Sequence, residues 1–185
     1  MRTVVSLLFV STSIGAAACS DALEPPLRPN AVSATQATTQ AQNGTDLPFG
    51  GSFTISTTGT VNCPPTCPPT VLTVHGTLNG TATHLGRFTA VSVEAVDLAA
   101  ATSTGTLTLT AANGDQLSAK TAGAEESFMP PNISTVRIVA EIVGGTGRFS
   151  SATGSLTIRY TAAIDFAAQT SAGDGSIEGR LNLNR

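Results

Sequence analysis

Hydrophobic and polar residues alternate along most of the chain after residue 48. In the segment 154–167, one parity carries Leu156, Ile158, Tyr160, Ala162, Ile164 and Phe166, and the other carries Thr157, Arg159, Thr161 and Asp165. Successive side chains of a β-strand point to opposite faces, so this alternation predicts a strand with one buried face. Similar patterns predict strands over 51–61, 70–83, 86–98, 104–112, 115–122, 134–144, 154–167 and 174–184.

The predicted fold class is all-β, because no segment beyond residue 18 shows a helical period of apolar residues. Strands that each have a single apolar face need one shared core. An eight-stranded antiparallel barrel is the simplest arrangement, since closure leaves no exposed sheet edge. A β-sandwich is the alternative.

The turn between the fourth and fifth strands is predicted from the consistency of the two faces. A two-residue loop on Asn113-Gly114 would mix apolar and polar positions on one face. A three-residue loop, 113–115, keeps them apart and pairs Leu109 with Ala119 and Ala111 with Leu117. We therefore expect an odd-numbered loop.

The first residues have the pattern of an export signal. Arg2 precedes a short apolar stretch, and small residues lead up to Cys19. This order resembles the lipobox of bacterial lipoproteins, in which the cysteine thiol is acylated. We expect a signal peptide over 1–18, a membrane anchor on Cys19, a disordered tether over 19–48 and a barrel domain over 49–185. Ser20 after the cysteine favours the outer membrane, and a secreted protein cut after Ala18 is the alternative.

The other two cysteines, Cys63 and Cys67, lie in one short proline-rich segment. In an oxidising compartment they are expected to form a disulfide. Half of a metal site is the alternative, but it would require further ligands. No metal site is predicted.

Composition narrows the range of partners. The net charge is −3, charged residues are 11% of the chain, and Lys120 is the only lysine. Without a basic patch, binding to nucleic acid is not expected. Tyr160 is the only tyrosine and tryptophan is absent, so the chain offers few aromatic surfaces for stacking.

Three residues are candidates for ligand binding. Glu94 shares strand parity with Phe88, Ala90, Val96 and Leu98, and we expect it to point inward, where it can meet Tyr160. His84 lies where a strand meets a turn, and it is either a ligand-binding residue or a ring hydrogen-bonded to backbone. His75 is expected to face solvent, and Glu125-Glu126 to lie in a loop. No catalytic residue and no cofactor is predicted.

Two short segments contain Gly-Arg-Phe followed by a hydroxyl residue. They are Gly86-Arg87-Phe88 and Gly147-Arg148-Phe149, the latter preceded by Gly144 and Gly145. The second lacks the ending of a phosphate-binding loop, and no helix follows it. We interpret both as structural turns in which glycine permits a bend, the Phe enters the barrel end and the Arg stays at the rim.

Three segments, taken together, resemble a set of uncharacterised bacterial exported proteins related to the allene oxide cyclase/dirigent barrel. They are 80–86, 111–117 and 143–154, and the resemblance covers about residues 50–184. It implies an eight-stranded antiparallel barrel with a central cavity. It carries no cyclase residue onto a matching position of this chain.

The sequence favours a non-enzymatic lipoprotein of the cell envelope whose barrel binds a small apolar ligand or a protein partner. A cyclase or isomerase acting on a hydrophobic substrate is one alternative, and a purely structural envelope protein is another. A cavity holding a polar cluster would keep the enzyme alternative open. A solidly packed interior would argue against both binding and catalysis inside the barrel.

Overall fold

The computed structural model describes residues 45–61 and 71–183. Cys19, Cys63, Cys67, the predicted signal peptide and most of the predicted tether lie outside these ranges. Within them no helix is long and apolar enough to cross a membrane.

Eight antiparallel strands form one closed barrel in chain order, with β1 pairing both β2 and β8. The strands are β1 (Thr45–Val61), β2 (Val71–Ala82), β3 (Gly86–Asp97), β4 (Thr102–Ala111), β5 (Gln116–Met129), β6 (Ile133–Gly145), β7 (Ala152–Asp165) and β8 (Thr170–Leu183). The barrel prediction is therefore confirmed, and the sandwich alternative is wrong. Each predicted strand is present, with ends that differ by a few residues in most cases.

The largest boundary differences are at β1 and β5. The first strand begins at Thr45, so the predicted tether of 19–48 overlaps its first four residues. The fifth strand continues to Met129, through the segment expected to be a loop. A register shift between Glu125 and Ser127 interrupts its pairing with β6. Such a bulge inserts one unpaired residue and changes the parity of 127–129. Before it, the inward positions carry Gly123 and Glu125 instead of apolar side chains, so the alternation pattern ends early.

The β4–β5 hairpin has a three-residue loop, as predicted, but one residue earlier than expected. The Ala111 N–H donates to the Asp115 carbonyl at 2.9 Å, and the Gly114 N–H donates to the Ala111 carbonyl at 2.9 Å. Gly114 has φ +88°, the left-handed conformation that closes this class of loop. Leu109 consequently pairs with Leu117 rather than Ala119. This register places two fully buried leucines opposite each other.

The two ends of the barrel differ. We call the end where β1 begins the plugged end, because large apolar side chains fill it; among them are Phe49, Leu85, Phe88, Leu117, Phe149 and Leu181, all buried. At the other end, called the open end, residues of connections 98–101 and 166–169 line a cavity. The interior is thus packed in one half and hollow in the other.

Candidate functional site: the cavity at the open end

A cavity of about 460 Å³ enters the barrel from the open end. Most of its wall is aliphatic, with contributions from Val61, Leu72, Val74, Val96, Val136 and Ile164. Hydroxyl groups of Thr57, Ser103, Ser134, Tyr160 and Ser171 interrupt this wall. An apolar cleft of this size with a few polar groups is typical of a small-molecule site.

Small interior residues leave the room for polar side chains near the floor of the cavity. A Cβ on Gly105 would lie 2.8 Å from Glu94 Oε2 and 2.1 Å from the Val93 carbonyl oxygen. A Cβ on Gly123 would lie 2.8 Å from the Ser103 hydroxyl. The missing side chains of these glycines therefore make space for Glu94 and Ser103.

Glu94 points into the barrel, as its strand parity predicted, and is only 6% exposed. It lies one inward-facing position deeper than Val96, which lines the cavity. The Thr121 hydroxyl donates to Oε1 at 2.7 Å. Oε2 has no hydrogen-bond partner among the described residues. Burial raises the pKa of Glu94 above its ordinary value, and the Thr121 and Ser103 hydroxyls oppose this shift without cancelling it.

Tyr160 lies in the cavity wall on β7, and the structure brings it near Glu94. Burial raises the pKa of Tyr160 to about 12, and the negative charge of Glu94 adds to the shift. The phenol is therefore protonated across the physiological pH range. It presents a neutral hydroxyl and an aromatic ring to any molecule in the cavity.

The two consecutive glutamates of β5 lie on opposite sides of the wall, which corrects the expectation of a solvated loop. Glu125 lines the cavity and accepts a hydrogen bond of 2.5 Å from the Ser134 hydroxyl. Glu126 pairs instead with Arg159, at 3.4 Å between Oε1 and Nη2. Successive residues of a strand face opposite sides, and Glu125 shares the parity of the inward residues Leu117 and Thr121.

Two similar turns form opposite parts of the cavity mouth, and neither was predicted from the sequence. In one, Asp97 Oδ1 accepts the N–H groups of Ala99 and Ala100, at 2.9 and 3.0 Å. In the other, Asp165 Oδ1 accepts the N–H groups of Ala167 and Ala168, at 3.0 and 2.9 Å. The signal was the repeated order Asp, large apolar residue, Ala, Ala at positions 97–100 and 165–168. The second residue of each turn, Leu98 or Phe166, lines the cavity while remaining 50% or 63% exposed.

His84 does not join Glu94 and Tyr160. It lies at the plugged end with φ +65°, and its Nε2 is 3.1 Å from the Pro48 carbonyl oxygen. Its ring thus contacts backbone, the second of the two interpretations given above. His75 is exposed on the outer face of β2.

The Gly-Arg-Phe segments also lie at the plugged end. Gly86 and Gly147 have φ of +68° and +55°, and Phe88 and Phe149 are buried. Arg148 lies over the Phe149 ring at 4.8 Å and is 3.7 Å from an Asp115 oxygen. Arg87 is exposed at the start of β3. Gly144 has φ +123°, and Gly145 lies against the Gln116 carbonyl, where a Cβ would not fit.

In the described part of the chain, no group of three or more His, Cys, Asp or Glu residues is arranged to hold a metal ion. No family model matches the chain, and no curated protein matches it. Among solved structures, it is similar to a pterocarpan synthase dirigent protein. The TM-score is 0.49 and the identity 15%, over 77% of this chain and 93% of that one.

Proposed function

We propose that this protein is a non-enzymatic binding protein that holds a small, mainly apolar molecule in the barrel cavity. The observation that carries the proposal is the hollow half of the barrel: a cavity of about 460 Å³, open to solvent at one end and ended by a packed core at the other. A barrel of eight strands is just wide enough either to fill with side chains or to hold one small ligand. In this chain, side chains fill the barrel at the plugged end, and the open end has space for a ligand.

The chemistry of the wall supports an apolar ligand with a limited polar part. Aliphatic side chains would cover most of its surface, and its burial would contribute about 25 cal/mol per Å² of apolar area removed from water. The hydroxyls of Ser103 and Tyr160 would orient its polar group. Exposed Leu98 and Phe166 give the mouth an apolar edge over which such a molecule can enter.

The proposal includes a cellular location, the bacterial outer membrane, which is inferred from the sequence. An acylated Cys19 would hold the barrel at the bacterial outer membrane through the segment that precedes β1. In that compartment Cys63 and Cys67 would form a disulfide. The mass of the intact protein purified from its source membrane would report both the acyl group and the loss of two hydrogens.

An isomerase or cyclase is the second candidate, and one observation favours it. Glu94 and Tyr160 are neighbouring groups with raised pKa values at one cavity, and such pairs are frequent at catalytic sites. Glu94 does not itself line the cavity, however, so it has no direct contact with a reacting atom there. For that reason we favour binding.

The binding proposal is tested with N-phenyl-1-naphthylamine, an uncharged apolar dye that fluoresces when removed from water. Val96→Trp would fill the cavity, whereas Ala95→Trp adds the same ring to the outer face of the same strand. We expect saturable binding to the wild-type protein and to Ala95→Trp, and a loss of binding in Val96→Trp. Equal binding by both variants, or none by the wild type, would refute the proposal.

A further inference from the structure

The charged side chains at the cavity wall all have the same sign. They are Asp97, Glu125 and Asp165, which surround the mouth. Within the described ranges no lysine, arginine or histidine lines the cavity. Among the described residues, a molecule entering from solvent therefore passes three carboxylates and no compensating cation.

The deep end of the cavity is acidic as well. Behind Ser103 and Tyr160 lies Glu94, whose Oε2 has no hydrogen-bond partner among the described residues. None of the ion pairs in the described chain involves it. A buried carboxylate without an ion-pair partner is unfavourable even when it accepts hydrogen bonds, and a positive charge placed nearby would offset much of that penalty.

The arginines that form ion pairs are directed away from the cavity. Arg159 pairs with Glu126, Arg148 with Asp115 and Arg180 with Asp46, in every case with a partly exposed guanidinium side chain. None of the three lines the cavity. These three arginines therefore do not neutralise the acidic side chains at the cavity.

We propose that the cavity selects cationic amphiphiles, such as primary alkylamines, over uncharged and anionic molecules of the same length. This inference rests on the proposed binding function and specifies its ligand class. The order holds for either orientation of the ligand, because its ammonium group would lie either at the floor, within the electrostatic field of Glu94, or at the mouth beside Asp97, Glu125 and Asp165. At the floor, the hydroxyl oxygens of Ser103 and Tyr160 accept N–H donors, and the Tyr160 ring favours a nearby cation.

A carboxylate ligand lacks each of these advantages. Its negative charge would lie near acidic groups at both ends of a cavity with a low-dielectric wall, where like charges repel more strongly than in water. It would also bring no N–H or O–H donor for the oxygens of Ser103 and Tyr160, and a hydrogen bond from the Tyr160 hydroxyl would be the one polar contact it gains. An alcohol avoids the repulsion but gains no attraction, so we place it between the amine and the carboxylate.

The test is competition between the naphthylamine dye and three eight-carbon ligands: octylammonium, octanol and octanoate, each below its aggregation limit at neutral pH. We expect octylammonium to displace the dye at a concentration about tenfold or more below that needed with octanoate, which corresponds to a difference of about 1.4 kcal/mol. Octanol should fall between them. Added salt should weaken the contribution of the exposed acids at the mouth more than that of buried Glu94, because buried charges are screened less than exposed ones. Octanoate binding as well as or better than octylammonium would overturn the inference, even if the dye itself binds.

Two amide variants identify the acids responsible. Glu94→Gln and Glu125→Gln each remove one charge with little change of shape, and both should reduce the preference for amine over alcohol. Glu178→Gln removes an exposed acid from the outer face of β8 and should leave the preference unchanged. An unaltered preference in both cavity variants would contradict the assignment. Failure of the dye to bind the wild-type protein would instead count against the proposed function itself.

Discussion

Glu94 on β3 reaches across Gly105 on β4 to accept a hydrogen bond of 2.7 Å from Thr121 on β5. Glu94 pairs with Gly105, and Gly105 with Thr121, so the three residues form one row across the strands. A side chain at the middle position would block the contact. The row holds a carboxyl group behind the floor of the cavity.

Gly105→Ala should therefore destabilise the barrel. Its Cβ would lie 2.1 Å from the Val93 carbonyl oxygen and 2.8 Å from Glu94 Oε2, and at least the first of these atoms belongs to backbone that cannot move freely. We expect a loss of about 1–3 kcal/mol in the free energy of unfolding, measured by denaturant titration. Gly50→Ala is the control, because no atom lies within 4 Å of a Cβ there. Equal stability of the two variants would show that the close approach at Gly105 is not real.

The pKa of Glu94 predicts how stability depends on pH. The folded-state pKa is raised above the ordinary value of 4.5, so the unfolded state loses this proton at lower pH than the folded state. Ionising the buried Glu94 carboxyl lowers the free energy of unfolding. This loss of stability is absent below about pH 4.5 and grows as pH rises through the folded-state pKa. Glu94→Gln carries no such penalty. The difference in unfolding free energy between the variant and the wild type should shift in favour of the variant with rising pH.

If the difference in unfolding free energy between Glu94→Gln and the wild type stays constant as pH rises above 4.5, Glu94 ionises in the folded protein as it does in the unfolded chain. Glu178→Gln serves as the control, because this exposed residue lies on the outer face of β8.

Tyr160 can be titrated by itself, since it is the only tyrosine in the chain. The ultraviolet absorbance of the phenolate should appear with a midpoint of about 12 in the folded protein. In Glu94→Gln the midpoint should fall, because burial remains but the negative charge that adds to the shift is gone. An unchanged midpoint in the variant would show that the two groups are not coupled. Circular dichroism at each pH would verify that the barrel is still folded.

Much of the barrel and part of the site could be predicted because strand parity is a local property. Alternation identified all eight strands and placed Glu94 inside, since its neighbours at even positions are apolar. Parity gives no signal where inward positions are not apolar, as at Gly123 and Glu125, and for that reason Glu125 was expected in a loop and not at the cavity. Strand parity also gives no information about which end of the barrel contains a cavity. Both His84 and Tyr160 were therefore candidates for ligand binding, although they lie at opposite ends of the barrel.

The hairpin between β4 and β5 shows a second limit. Face consistency required an odd loop, and the loop is odd, but two registers two residues apart satisfy that rule equally. The choice between them depends on packing across the core, where Leu109 and Leu117 are both fully buried.

The two Asp-capped turns at the mouth give a further prediction. Asp97→Ala and Asp165→Ala each remove an acceptor of two backbone N–H groups. We expect each to lower the free energy of unfolding by about 1–2 kcal/mol, as for the loss of comparable side-chain caps. Asp97→Asn and Asp165→Asn retain a side-chain oxygen and should lose less. If alanine and asparagine variants unfold at the same denaturant concentration, the carboxylates do not hold these turns.

The central claim is that the hollow half of the barrel holds a small molecule. Native mass spectrometry of the protein purified from its source cells tests this most directly, with Val96→Trp and Ala95→Trp prepared in the same way. The account predicts an additional non-covalent small-molecule mass on the wild type and on Ala95→Trp that is absent from Val96→Trp. The same bound mass on Val96→Trp, or no bound mass on the wild type, would contradict it.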